Sequence, residues 1–303
     1  MWILAAFALA GGLAQLVDGT LGMGFGVTSA SALLFLGFAP ATASAATHAA
    51  KLPTTLVSGL SHWRVDNVDT SVLWRVALPG AVGGFVGAVV LTSIDLASAK
   101  AWMSGLLIFF GLVIFARFGL GTRLVPTPEP TTARRWLPPI GLLGGFVDAT
   151  GGGGWGPVVT PSLMTVTHHE PRKVVGTVSA AEFIVAVSVS TGFLTGAAQH
   201  GIPWLPVLGL TAGGVIIAPI AAKLAGRLPH APMGTLVGGL VILVNGIVIV
   251  DALGGVPGWI DAALILGVAV TTTSVARRAW RRARAERVLA KTGETHTLEA
   301  QRS

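Results

Sequence analysis

Six side chains capable of charge or proton chemistry stand in stretches otherwise built for lipid: Lys51, Glu182, His48, Ser179, Asp18 and Asp148. A charge in the hydrocarbon core is expensive unless it is paired or hydrated. An intramembrane Lys or Glu therefore marks either a substrate or ion pathway or a structural ion pair. Lys51 has the charge to attract an anion, and Glu182 the chemistry to carry a coupling proton. His48 lies one helical turn before Lys51, and Ser179 precedes Glu182 by the same spacing, so each pair shares a helix face. His48 is either a charge or donor at mildly acidic pH or a packed, hydrogen-bonded residue.

Asp18 and Asp148 each open a glycine-rich break. Residues 18–26 read Asp-Gly-Thr-Leu-Gly-Met-Gly-Phe-Gly, and residues 148–156 read Asp-Ala-Thr-Gly-Gly-Gly-Gly-Trp-Gly. Successive glycine N–H groups can converge on an anion, and the positive end of a following half-helix favours negative charge. Thr20, Gly22, Gly24, Gly26, Thr150, Gly152, Gly153 and Gly154 are therefore candidate substrate contacts. Close helix packing through small residues is the competing explanation. Pro157 suits the first turn of such a half-helix, where no donor is needed. The two aspartates either bind a proton or sodium or satisfy loop N–H groups as local caps. Gly151, Gly153 and Gly156 match G-x-G-x-x-G, but no strand precedes them, so a dinucleotide site is discarded. Neither break is followed by a P-loop lysine. His168 and His169 lack a convincing third ligand, and neither a metal nor another cofactor is expected.

The elements that must position these groups are hydrophobic segments near 1–17, 27–38, 43–61, 72–92, 97–117, 136–149, 157–167, 174–198, 203–222, 233–250 and 256–276. A crossing helix needs roughly 20 residues, so 1–17, 27–38, 136–149 and 157–167 are expected to be too short. They form two pairs, each joined by a glycine break, and are expected to be re-entrant hairpins or broken helices. Residues 1–17 lack the basic start of a signal peptide and are expected to be part of the mature structure. An internal repeat is visible: Val17, Asp18, Thr20, Gly22, Gly24 and Gly26 recur as Val147, Asp148, Thr150, Gly152, Gly154 and Gly156. After a one-residue slip Lys51 aligns with Glu182, and further on, back at the spacing of the breaks, Trp74 and Gly83-Gly84 answer to Trp204 and Gly213-Gly214.

Charge orders the connections. With both pairs re-entrant and the N-terminus outside, Arg64, then Arg117, Arg123, Arg134 and Arg135, then Arg172 and Lys173, then Lys223 and Arg227, and then the basic tail all fall inside. The connections near Asp95, His200 and Asp251 fall outside, with Lys100 at a helix edge. The expected plan is an all-α integral membrane protein of two inverted repeats. Each has a glycine-broken re-entrant pair and three crossing helices, with one extra C-terminal crossing. Residues 1–117 form the first repeat, 118–135 a cytoplasmic linker, 136–276 the second repeat plus the extra helix, and 277–303 a basic cytoplasmic tail.

Composition agrees: 52% of residues are apolar and 11% charged, with a mean hydropathy of +0.75, too little polar surface for a water-soluble globule. There is no cysteine, which removes disulfides and thiolate chemistry. After residue 276 eight Lys/Arg face three acids, against twelve and ten before it. That tail is expected to anchor at anionic lipid rather than to bind nucleic acid.

The two broken segments, Asp18–Gly26 and Asp148–Pro157, each followed by a polar-studded helix, resemble the TauE/SafE family of sulfite exporters over nearly the whole chain up to about residue 276. The resemblance implies a multi-pass carrier in a bacterial plasma membrane for anions of sulfur metabolism such as sulfite, thiosulfate or sulfoacetate. Inverted repeats would form one midplane site exposed alternately to each side. The pseudo-two-fold axis is expected to bring Lys51 and Glu182 together or onto opposite walls of one cavity. The first break carries Leu21, Met23 and Phe25 where the second has Gly151, Gly153 and Trp155, so the two loops are not expected to play equal roles. The expected activity is secondary transport of a small anion rather than catalysis, with membrane lipid as the surroundings and homo-oligomerisation left open. An anion channel and a membrane-embedded enzyme acting on a lipid phosphate are the alternatives.

Overall fold

Hydrocarbon offers the backbone no hydrogen-bond partner, so each segment must satisfy its own N–H and C=O groups, and a helix does so. The computed structural model describes residues 2–121, 133–167, 169–196, 202–225, 228–252, 254–255 and 257–300, and among them every regular element is helical. Residues 122–132 of the expected linker, with Arg123, lie outside the described residues, as do His168, His200 and Arg227.

The chain forms α1 (Trp2–Leu21), α2 (Phe25–Phe35), α3 (Pro40–Arg64), α4 (Thr70–Ser93) and α5 (Leu96–Phe115), which ends in a π-helical turn at Ala116–Leu120. A 3-10 turn, Ala133–Trp136, then leads into α6 (Leu137–Gly151). The remaining helices are α7 (Trp155–Val166), α8 (Pro171–Gly196), α9 (Trp204–Leu224), α10 (His230–Ala252) and α11 (Gly258–Ala300). Local chemistry fixes several starts. Pro40 opens α3, Asp69 caps α4 by accepting from Ser71 N at 2.9 Å and Val72 N at 3.1 Å, and Asp95 caps α5 by accepting from Ser98 N at 3.0 Å. Partial burial opposes the charge of Asp69. The Val72 N–H, the neighbouring His169 and the Ser71 N–H outweigh it and hold the carboxyl below its usual range.

Among the described residues seven helices are long and apolar enough to cross a membrane: α1, α4, α5 with its π turn, α8, α9, α10 and α11 as far as Ala285. One of these assignments corrects the expectation from segment length. The segment expected over 1–17 is a 20-residue helix, because it continues through Val17, Asp18 and Thr20 into the glycine break. Helix α3, 25 residues long, is absent from the apolar set because it buries Ser44, Thr47, His48, Lys51, Thr54, Thr55, Ser58 and His62. Its polarity points inward.

Glycine contacts give the sense of packing. Along α1 and α9, Gly11 stands against Leu210 and Gly19 against Ala221, so the two helices run parallel. Along α6 and α4, Gly141 stands against Val76 and Gly87 against Phe146 and Ala149, again parallel. Within the second pair α7 turns back along α6, since Gly154 meets Val147 and Gly144 meets Val159. In the first pair Gly24 meets Val17. Both broken segments are hairpins. The repeat noted in the sequence recurs in the packing: Gly83 is pressed against Leu142 and Phe146, and its counterpart Gly213 against Ala8 and Gly12.

Basic connections collect at one end. Asn67, three residues past Arg64, receives Gly176 of α8, and Gly119, beside Arg117, meets Thr235 of α10 and Val275 of α11. At the other end Lys100 and Asp251 approach to 3.9 Å. Because the chain has no native cysteine, single thiols report sidedness directly. Ile94→Cys and Gly254→Cys are expected to react with a membrane-impermeant maleimide on intact cells, and Arg64→Cys and Ala283→Cys only after permeabilisation. The reverse pattern would turn the molecule over in the membrane.

Candidate functional site

The two breaks meet. Gly22 and its repeat counterpart Gly152 adopt φ of 70° and 73°, left-handed values that glycine accepts without strain. Gly26 faces Gly153 so closely that a Cβ on Gly26 would lie 2.5 Å from Gly153 Cα and 2.9 Å from Lys51 Nζ. Thr160 Oγ1 donates to Gly22 O at 2.6 Å and ties the second hairpin to the first.

Each break is closed by the aspartate that opens it. Asp18 Oδ1 accepts from Phe25 N at 3.3 Å, and Asp148 Oδ1 accepts from Trp155 N at 3.1 Å. These bonds satisfy the leading N–H of each half-helix, which a helix would otherwise leave orphaned. The capping alternative thus describes both aspartates, and the first donor of each half-helix already holds a carboxylate of the chain itself. The breaks then diverge: Gly24 has φ 153°, whereas Gly154 has an ordinary helical φ of −82°.

Asp148 does more than cap. Lys51 Nζ donates to its Oδ1 at 2.8 Å and stands 2.9 Å from Glu182 Oε1, so one ammonium lies between two carboxylates. His48 Nε2 is 3.0 Å from Asp148 Oδ2, and His48 Nδ1 is 2.8 Å from Ser44 O. Both ring nitrogens of His48 thus face acceptors. A neutral imidazole has one N–H, so either His48 is an imidazolium beside a carboxylate or Asp148 carries the proton. Asp18 lies within electrostatic range of both Lys51 and Glu182. All five ionisable groups are buried.

Among the residues expected from sequence, the structure brings together Lys51, Glu182, His48, Asp148 and Asp18, with Gly26 and Gly153 against them. Thr20 and Thr150 donate to carbonyls of their own helices, at Leu16 and Phe146. Ser179 is buried, and its hydroxyl has no protein hydrogen-bond partner among the described residues. Gly22, Gly24, Gly152 and Gly154 shape the turns, and Gly156 admits Gly22 and Met23. His169 lies elsewhere, 2.9 Å from Asp69 Oδ2.

Four supporting residues escaped the sequence reading. Ser44 donates to Ala149 O at 2.6 Å, Trp155 Nε1 donates to Val178 O at 3.1 Å, and Asn245 Nδ2 donates to Ser31 Oγ at 2.6 Å. Thr160, at the junction of the hairpins, is the fourth. Ser44 alone left a signal, standing one turn before His48 on the face that holds Lys51.

A family model described as Sulfite exporter TauE/SafE matches residues 7–248, a stretch that includes both hairpins and every cluster residue. The chain is also similar to a probable membrane transporter protein, YtnM, of Bacillus subtilis (strain 168). The two are 44% identical over 249 residues, covering 80% of this chain and 81% of that protein. No solved structure matches.

Removing one partner of a buried ion pair strands the rest, at about 3–5 kcal/mol. Lys51→Met is therefore expected to be strongly destabilised in detergent, and Lys51→Met/Glu182→Gln/Asp148→Asn to regain much of the loss. Thermal unfolding followed by tryptophan fluorescence measures both. Equal melting of wild type and Lys51→Met would show that the ammonium does not hold the carboxylates in place.

Proposed function

The chain belongs to the sulfite exporter TauE/SafE family of membrane transporters, and from that premise we propose that it is a proton-coupled secondary carrier of small oxyanions. Sulfur oxyanions and organosulfonates such as sulfite, thiosulfate and sulfoacetate are the cargo class that the family name favours. The carrying observation is the state of Lys51, whose charge is already taken up by Asp148 and Glu182 at the point where the two breaks meet.

That arrangement sets an order of events. One ammonium and one imidazole face three carboxylates, so with the carboxylates ionised the cluster repels an anion. Protonating Glu182 removes one negative charge and releases one side of Lys51. The freed N–H then faces the anion, with the breaks supplying close backbone approach at Gly26 and Gly153. Proton and anion are taken up together and leave together, which is symport. His48 and Asp148 stand 3.0 Å apart, and they keep the far side of Lys51 neutralised while the cargo is bound.

The division of the core supports alternating access. One buried cluster gathers α1, α2, part of α3, α5, α9 and α10, and the other gathers α4, α6, α7 and α8 with small parts of α3 and α5. The seam between them passes the contact of the two hairpins, so rocking the two bodies across that seam opens the site to one side and then the other. Inverted orientation of the two repeats is what would make the end states near-mirror images.

Proteoliposomes test the coupling. Saturable counterflow of sulfite or thiosulfate is expected to be accelerated by an acidic compartment on the side of entry. Lys51→Met is expected to lose it at least tenfold. Glu182→Gln, a permanent mimic of the protonated acid, is expected to keep counterflow yet lose its response to the pH gradient. Flux through Lys51→Met at unchanged affinity would sink the reading, and a non-saturating flux would make the protein a pore.

A further inference from the structure

A positively charged cavity opens on the basic end of the molecule, apart from the Lys51 cluster. It encloses about 210 Å³, and no Asp or Glu is among the described residues lining it. Its wall includes Arg117 from the π turn, Met164 from α7, Pro171 and Arg172 from α8, and Thr20, the penultimate residue of α1.

Arg117 is half-buried, yet no carboxylate stands within ion-pair distance of it among the described residues. Its one side-chain hydrogen bond there, from Nη2 to Met164 Sδ at 2.6 Å, goes to a weak acceptor. Arg172 holds Glu170 through Nε at 2.7 Å and leaves its terminal nitrogens free of that contact. A partly desolvated guanidinium without an anion is costly, and its planar fork matches a tetrahedral or trigonal oxyanion in a bidentate way. The volume falls below the roughly 300–1,000 Å³ of sites for drug-sized ligands, which selects a small solute.

Position gives the cavity a role. Its floor, Thr20 and Leu21, is the last turn before Gly22, whose carbonyl is held by Thr160 of the other hairpin. The lining residue Leu21 is one residue from the contact between the two hairpins that the transport reading requires to open. We infer that this cavity is a separate binding site for a small free oxyanion, a waiting position on the basic face from which cargo passes to the Lys51 cluster. The cargo assignment rests on the transport reading, but the binding site does not.

Single thiols test the site without any transport measurement. Met164→Cys lines the cavity and Pro171→Cys stands exposed at its rim. At each position the anionic sulfonatoethyl methanethiosulfonate is expected to react about tenfold faster than its trimethylammonium counterpart, a preference within the range of electrostatic focusing by charged clefts. Sulfate is expected to slow the reaction, and adding Arg117→Gln to abolish both the preference and the protection. Equal rates for the two reagents at both thiols would overturn the site. Protection by phosphatidylglycerol but not by sulfate would overturn it in favour of a lipid headgroup. Anion preference and sulfate protection in a protein that moves no oxyanion would uphold the site while removing the carrier reading.

Discussion

One buried ammonium group shared between two carboxylates is the interaction around which the rest of the molecule is arranged. Lys51 could not be held in lipid alone, and Asp148 and Glu182 could not be held together without it. The cluster also gathers structure. Lys51 belongs to α3, Asp148 to α6 and Glu182 to α8, while Asp148 closes the second break through Trp155 N. A single charge thus fixes the position of three helices and the opening of a fourth. The arrangement is stable only while its charges stay balanced.

Glycine makes that closeness feasible. At several helix crossings backbone lies on backbone, at Gly83, Gly141, Gly145 and Gly213, and at Gly26 against Gly153. Without a hydrophobic drive between helices in lipid, such close approach supplies van der Waals contact that bulkier residues would prevent. It also leaves narrow tolerance. A methyl group at any of these glycines meets main chain rather than a side chain able to move aside.

Much of this was legible in the residues. The two glycine breaks, their pairing as repeats and the alignment of Lys51 with Glu182 came from spacing alone, and the structure brings the last two within 2.9 Å. The extent of α1 was not legible, because Asp18 and Thr20 read as the end of a hydrophobic run while the helix continues through them. The double duty of Asp148 was hidden as well. Its counterpart Asp18 caps its break in the same way, yet among the described residues it is not within ion-pair distance of Lys51, which Asp148 holds at 2.8 Å. Thr160 gave no warning, because a threonine in an apolar helix commonly does no more than bond its own backbone.

The two buried cores are not the two halves of the sequence. Helix α1 lies along α9, and α6 along α4, so the opening helix of each half is packed by a helix of the other. During synthesis this has a temporal meaning. The first hairpin enters the bilayer with Gly11, Gly12 and Gly19 lacking the surface they fit, and that surface is translated only with residues 204–224. Until the ribosome has delivered the second half, the first is an insertion intermediate whose glycine face is open to lipid or to another nascent chain. The order of assembly is written into the same close contacts that seal the finished protein.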